Sequence, residues 1–275
     1  MIAAVTNRVS GEGIRDVYSN SRLLRTVVRL LPLGILLLVW EVASGMLVPE
    51  SILPSFVATT GEIYALGTSD RLYVHMGSTV FRGFLGVIIA TVLAVPIGLA
   101  MAESSPVERA LDPVVSLTYP VPKSPLIPLM VFWLGSGHLS RIALAVVGAI
   151  LPILISTHNG ASGVQEEFVW VAETMGLSRA QRVRHVVFPG ALPTVLTGIR
   201  IGLIFSFIIV ISSELINVAG GGLGMLIDGA AQFGLYEQVF AMVFWTAVLV
   251  AGLDRLYLFL TSYLLRWSEQ EVGSV

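Results

Sequence analysis

The chain has no cysteine, a single lysine, and only 12% charged residues. The missing cysteines exclude disulfides, cysteine zinc sites and thiol catalysis together. A Walker A loop needs Gly-Lys-Ser/Thr after a glycine turn, so that backbone amides and the lysine hold phosphates. The one lysine, Lys123, stands in PVPKSPLIP, so this chain cannot hydrolyse ATP by that route. The stretch AGGGLGMLIDG, residues 219–229, is rich in glycine but has no lysine and does not fit G-x-G-x-x-G. It reads as a flexible external turn leading into a short re-entrant helix. The four histidines are scattered without an i,i+4 pair for a metal, and no cofactor is expected. The net charge of −2 and the lack of a basic, aromatic-interleaved face give no sign of a nucleic-acid partner.

What is present is apolar. The composition is 55% hydrophobic with a mean hydropathy of +0.84. Six long apolar runs stand out, at 30–48, 83–102, 114–134, 139–157, 194–218 and 239–265. About 20 residues at ~1.5 Å each cross the ~30 Å hydrocarbon layer. Buried helices of a soluble protein would need polar faces to meet water, and these runs have none. The expectation is an all-α polytopic membrane protein with six transmembrane helices. A polar arm at 1–29 precedes the membrane domain at 30–268, and a short tail follows at 269–275. The arm is too long, and the first run too extended, for a cleavable signal peptide.

Arginine distribution orients the chain. Arg8, Arg15, Arg22, Arg25 and Arg29 precede the first run, Arg109 lies in the 103–113 loop, and Arg179, Arg182 and Arg184 lie in the 158–193 loop. With Arg266 these make ten on one side, against Arg71 and Arg141 on the other. Lys and Arg are enriched in cytoplasmic loops, so both termini are expected inside.

The 158–193 loop is patterned rather than slack. GVQEEFVWVAETMG reads as a short helix with Glu166 and Glu167 in its first turn, where acids suit the helix dipole, and Gly176 at its end. Ser178, with Gln181 three residues on, fits a capping box that opens a second helix. Pro189 and Pro193 are expected to stop that helix and start the next span. The product is a helix–glycine–helix elbow at the inner membrane surface. Two readings of it stand: a surface helix whose arginines bind lipid phosphates, or a docking knob for a soluble partner.

The third run carries Pro120, Pro122, Pro125 and Pro128, so a regular helix is not expected there. Non-helical backbone at membrane depth is tolerated only against protein or a water-filled cavity, and broken helices mark binding sites in many transporters. Lys123 sits in this break, either as a cationic wall of a pathway or snorkelling toward the inner headgroups. Glu41, Arg82, Arg200, Glu214, Asp254 and Arg255 also fall within the runs. Such groups usually face the protein interior or a cavity. Arg200 and Arg255 are expected to pair with Asp254 or to snorkel. Glu214 belongs to an external gate or caps the amides of the glycine loop.

The elbow resembles the EAA loop of ATP-binding-cassette importer permeases. That pattern is Glu-Ala-Ala, three residues, Gly, nine residues, Ile, one residue, Leu-Pro. Ala172, Gly176 and Pro189 match it, Val171, Val186 and Phe188 are conservative, and Trp170 replaces the acid. ILPSFVATTGEIY, LIPLMVFWLGSG, LPTVLTGIRIGL and GGLGMLI resemble the branch that imports nitrate, sulfonates, taurine, bicarbonate and some thiamine-precursor pyrimidines. The resemblance implies the type I importer permease fold in a bacterial inner membrane. It implies a homodimer around the pathway, two ATPase subunits that carry the ATP and magnesium, and a periplasmic or lipid-anchored solute-binding protein. ATPase coupling would fall to Glu167, Trp170, Val171, Ala172, Glu173, Met175, Gly176, Leu177, Ser178, Arg179, Val186, Phe188 and Pro189. The pathway would involve Pro120, Pro122, Lys123, Pro125, Pro128 and Glu214. An intramembrane enzyme would need paired catalytic groups at membrane depth, such as two aspartates or His-Glu-x-x-His, and none is present. A secondary transporter is the nearer rival, and the elbow speaks against it. The implied function is an importer subunit for a small anionic solute, with a pyrimidine or other small organic solute as the alternative.

Overall fold

A computed structural model describes residues 22–216 and 219–265, which are helical with no strand among them. The expectations for residues 1–21, for Arg266 and for the 269–275 tail lie outside the described residues. Contacts divide the chain into two units, one ending at Glu62 and one beginning at Ile63.

In the first unit, α1 (Arg22–Met46) runs through residue 29, where the polar arm was expected to end. Its apolar side chains from Leu30 to Val42 are mostly exposed, a surface suited to lipid rather than water. The helix ends at Ser44 and Gly45, which leave helical geometry. Helix α2 (Phe56–Gly67) follows two residues after Pro54. Glu41 does not reach for a partner helix: its Oε2 accepts the Phe56 amide at 2.7 Å and caps α2. Trp40 donates to the Pro54 carbonyl at 3.0 Å and packs edge-on against Phe56.

The second unit is built on three long helices. These are α3 (Asp70–Glu103), α6 (His138–Ser162) and α9 (Phe188–Ile216). Its core joins Val87, Ala90 and Ala94 of α3, Ala149 and Ile153 of α6, and Leu203 and Phe207 of α9. Small residues on the facing surfaces let the backbones approach, which substitutes for the hydrophobic drive that lipid does not supply. Phe207 is fully buried and meets Phe84 edge-on at 6.0 Å.

Between α3 and α6 lie α4 (Ser105–Thr118) and α5 (Leu126–Leu134). The 103–113 stretch, expected as a loop, is therefore largely helix. Pro106 in the first helical positions and Glu108 in the first turn are sufficient start signals. The third apolar run is split at residues 119–125, where Pro120, Pro122 and Pro125 lie, and is not one helix. After α6 come α7 (Glu166–Thr174) and α8 (Arg179–Arg182), then a π turn over Val183–Val187 that leads into α9. Pro189 and Pro193 do not stop this helix. The wide turn, in which the Phe188 amide donates to the Val183 carbonyl, absorbs the proline and lets Arg179–Ile216 run on as one apolar rod. Helices α10 (Leu223–Gln232) and α11 (Tyr236–Leu264) are the last among the described residues, α10 being the expected short helix after the glycine loop.

Among the described residues, four helices are long and apolar enough to cross a membrane: α3, α6, the Arg179–Ile216 rod and α11. Replacing Phe207 by Ala removes the largest apolar side chain at the centre of the bundle. A loss of about 3–5 kcal/mol follows from the transfer and cavity costs. Phe207→Ala should therefore melt well below the wild type in detergent, read by intrinsic fluorescence; an unchanged melt would place this core elsewhere.

Candidate functional site

The elbow forms as its caps dictate. Helix α7 begins with Glu166 and Glu167 and ends where Gly176 adopts φ +78°, with the Leu177 amide donating back to the Ala172 carbonyl at 3.1 Å. Both halves of the capping box form: Ser178 accepts the Gln181 amide, and Gln181 Oε1 accepts the Ser178 amide at 2.9 Å. Ala172 is buried, Leu177, Val186, Phe188 and Pro189 are partly buried, and Glu167, Ser178 and Arg179 lie at the surface. Trp170 and Met175 are 62% and 74% exposed, and Phe168 and Val171 are exposed beside them.

The loop's arginines divide between two tasks. Arg182 donates to Glu103 Oε2 at the end of α3, at 2.7 Å, and also to Glu173 Oε1 on α7. Arg179 donates to the Glu103 carbonyl. These two therefore tie the elbow to the end of α3, while Arg184 stays exposed. Sequence reasoning missed Glu103. The available signal was an acid closing a long apolar helix near a run of arginines.

In the break, Pro125 stands at the N-cap of α5 and Pro128 in its first turn, where missing amides cost nothing. Pro120 and Pro122 are exposed. Among the described residues, Lys123 pairs with no acid. Its Nζ donates to the Thr118 and Tyr119 carbonyls at 3.0 and 2.8 Å, capping the C-terminal end of α4, where a cation is favoured. Tyr119, Pro122 and Lys123 line a cavity of about 350 Å³ walled by α6 and α9.

Glu214 lies away from that cavity, in a buried cluster that holds the glycine loop. Arg82 donates to Glu214 Oε1 at 2.5 Å, both side chains being 0% exposed. Thr79 donates to the same carboxylate at 2.9 Å and accepts the Leu223 amide at 3.0 Å. The Gly224 amide donates to Glu214 Oε2 at 3.2 Å, so the amide-capping reading of Glu214 describes what the geometry does. Arg82 also donates to the Gly220 and Gly221 carbonyls, and Arg141 to those of Gly221 and Ala219. The expected flexible turn is thus a clamped loop. Positive φ at Gly220, Gly221 and Gly222 sets the loop's path, and a Cβ at Gly222 would collide with the Glu214 carboxylate. Fourteen residues before Glu214 on α9, Arg200 pairs bidentately with Asp254 of α11, at 2.7 and 2.9 Å, as one of the sequence readings has it.

Long apolar helices, a proline break beside a cavity, and an elbow that presents apolar side chains together describe a polytopic membrane protein. Residues 94–266 match the family described as binding-protein-dependent transport system inner membrane component, and the chain belongs to that family. It is 34% identical to the taurine transport system permease protein TauC of Escherichia coli over 81% of this chain and 82% of that one. It is 31% identical to the putative aliphatic sulfonates transport permease protein SsuC of Bacillus subtilis, over 89% and 88%. The nitrate import permease protein NrtB of Synechocystis is 28% identical, over 84% and 86%. A solved structure of the MetNI methionine ABC transporter in an inward-facing conformation shares the fold, with a TM-score of 0.61 at 22% identity, covering 71% of this chain and 95% of that one. The protein is thus a permease subunit of the ATP-binding-cassette importer class, an inner-membrane component of a transport system that depends on a binding protein.

The cluster around Glu214 makes a sharp prediction. Glu214→Gln leaves the Arg82 guanidinium buried without its counter-charge, a change that costs about 3–5 kcal/mol when one partner of a buried pair is removed. Glu214→Gln should reduce membrane yield and melting temperature, and Arg82→Met with Glu214→Leu should recover part of both. Equal stability of Glu214→Gln and wild type would mean that the pair is not structural.

Proposed function

We propose that this chain forms, as a homodimer, the membrane pathway of an importer for small anionic solutes, with two ATPase subunits beneath it and a solute-binding protein outside. Six spans per protomer follow if α1 and the α4–α5 pair cross the membrane in addition to the four long helices. Both termini are then cytoplasmic, and lipid covers the outward apolar faces. The names of the relatives support an anionic cargo: taurine, aliphatic sulfonates and nitrate all carry an anionic group.

The observation that carries the coupling role is the elbow's exposed apolar edge. Phe168, Trp170, Val171 and Met175 stand out from a segment rimmed by Glu166, Glu167, Arg179 and Arg184. An apolar patch with a charged rim is the usual surface of a protein interface. The elbow's own arginines are partly engaged with Glu103, so they hold the elbow in place rather than forming only a lipid contact. The segment 164–189 seats in the ATPase and passes its closure to the bundle through Arg179 and Arg182. The broken span with Pro120, Pro122, Lys123, Pro125 and Pro128 lines the pathway, and the loop clamped by Glu214 closes its outer end.

Gly176 is the pivot, because its φ of +78° is strained for any L side chain. Gly176→Asp should leave the permease inserted and dimeric but abolish uptake, by loosening ATPase docking or uncoupling hydrolysis from transport. Co-purification of the ATPase, solute-stimulated hydrolysis and uptake are the measurements; normal values for all three would remove the coupling role from the elbow.

Single cysteines in this cysteine-free chain check the topology. Thr68→Cys and Gln232→Cys should react with an impermeant thiol reagent added to intact cells, and Ser178→Cys only after permeabilisation. Labelling of Ser178→Cys in intact cells would invert or break the six-span arrangement.

A further inference from the structure

The clamp on the glycine loop includes two imidazoles besides the Arg82–Glu214 pair. His75 lies seven residues before Arg82, on the same face of α3, and its Nδ1 accepts the Gly222 amide at 3.0 Å. His138 opens α6. Its Nδ1 accepts the Arg82 Nε hydrogen at 3.3 Å, and its ring meets Phe81 edge-on. Both donors are obligatory, because a backbone amide and a guanidinium give hydrogens and accept none. Each Nδ1 must therefore present its lone pair, and each neutral ring carries its proton on Nε2. A second proton can enter only at Nδ1, where it breaks the bond.

The surroundings oppose the added charge as well. Arg71 and Arg82 of α3 act on His75; Arg82 and, from α6, Arg141 act on His138. The acid of the cluster is Glu214 of α9, and Arg82, Thr79 and the Gly224 amide already fill its carboxylate. On α10, Asp228 accepts Gln232 instead. Arg82 and Arg141 are both buried around that single carboxylate, so an imidazolium would add to an excess of positive charge. The clamped form thus takes up neither extra proton, whereas an imidazole in water gains one near pH ~6.5. The clamp is at full strength above that pH. It weakens as pH falls through it, by about tenfold per histidine for each unit below.

We infer that the glycine loop is a proton-released gate: neutral His75 and His138 hold it shut, and protonation of the two rings frees residues 219–222. His75 lets go of the loop directly, at the Gly222 amide. His138 acts through Arg82, whose guanidinium also holds the Gly220 and Gly221 carbonyls. This rests on the outer-gate reading above for what release does to transport. It goes beyond that reading by naming what regulates the loop, the acidity outside the membrane.

The test uses the full permease–ATPase complex in lipid nanodiscs without ATP, carrying a nitroxide spin label on Ala219→Cys. That position is exposed, and its backbone carbonyl is what Arg141 holds. The label should be immobilised at about pH 8, and its mobile fraction should rise at least tenfold by about pH 5. His75→Gln combined with His138→Gln keeps an acceptor at each position and removes the titration. That double variant should stay immobilised over the whole range. A label on Thr68→Cys, before the start of α3, should not respond to pH. An unchanged Ala219→Cys label in the parent protein would overturn the inference. Equal mobilisation in the double variant would overturn it by assigning the response to Glu214, and equal mobilisation at Thr68→Cys by showing a general loosening of the bundle. Failure of the importer reading shows separately, as the absence of ATP- and binding-protein-dependent uptake by the parent protein in proteoliposomes at neutral pH.

Discussion

Arg82 and Glu214, 2.5 Å apart and sealed from solvent, cannot be separated without leaving a bare charge in an apolar interior. In water such a pair would be worth little, but in a membrane bundle it is a constraint on everything around it. The carboxylate has spare lone pairs, which Thr79 and the Gly224 amide fill. The guanidinium has spare donors, which the Gly220 and Gly221 carbonyls fill. A loop with no side chains of its own to anchor it is thereby fixed between α3, α6 and α9. Helix α10, which starts at Leu223, inherits its position from that loop.

The same helix that carries Thr79 and Arg82 ends at Glu103, where Arg179 and Arg182 of the elbow attach. From Arg82 to Glu103 is 21 residues of unbroken α3, a rise of about 31 Å at ~1.5 Å per residue. One rigid element thus joins the clamped loop at one end to the elbow at the other. Both attachments are charge-assisted hydrogen bonds, the strongest directional contacts available to side chains. The proline break is anchored locally instead. It is held by Lys123 capping α4 and by prolines that start α5, and it borders a cavity of about 350 Å³.

Local chemistry was legible where the deciding partners are near in sequence. The capping box at Ser178 and Gln181, the glycine end of α7 at Gly176 and the split at the prolines of 119–125 depend on residues within a few positions of one another. Reading failed where a neighbouring turn could compensate. Pro189 and Pro193 were expected to end a helix, yet a π turn just before them keeps it running, because a wider turn frees the space the ring needs. The glycine loop looked slack because its restraints, Arg82 and Arg141, lie about 140 and 80 residues away.

The sequence by itself determined that this is a helical membrane protein and that one loop is an elbow with apolar side chains turned outward. Hydrophobic run length and capping residues act locally, so they can be read without knowing what lies beside them. Only the tertiary structure decided which charges meet. Glu214 holds a loop while Lys123 borders a cavity; Arg182 serves Glu103 and Glu173, and Arg200 serves Asp254. Each pairing depends on which helix faces surround a charge once the bundle has packed. Low-dielectric burial penalises every unpaired group, and that penalty acts only after distant segments have been brought together.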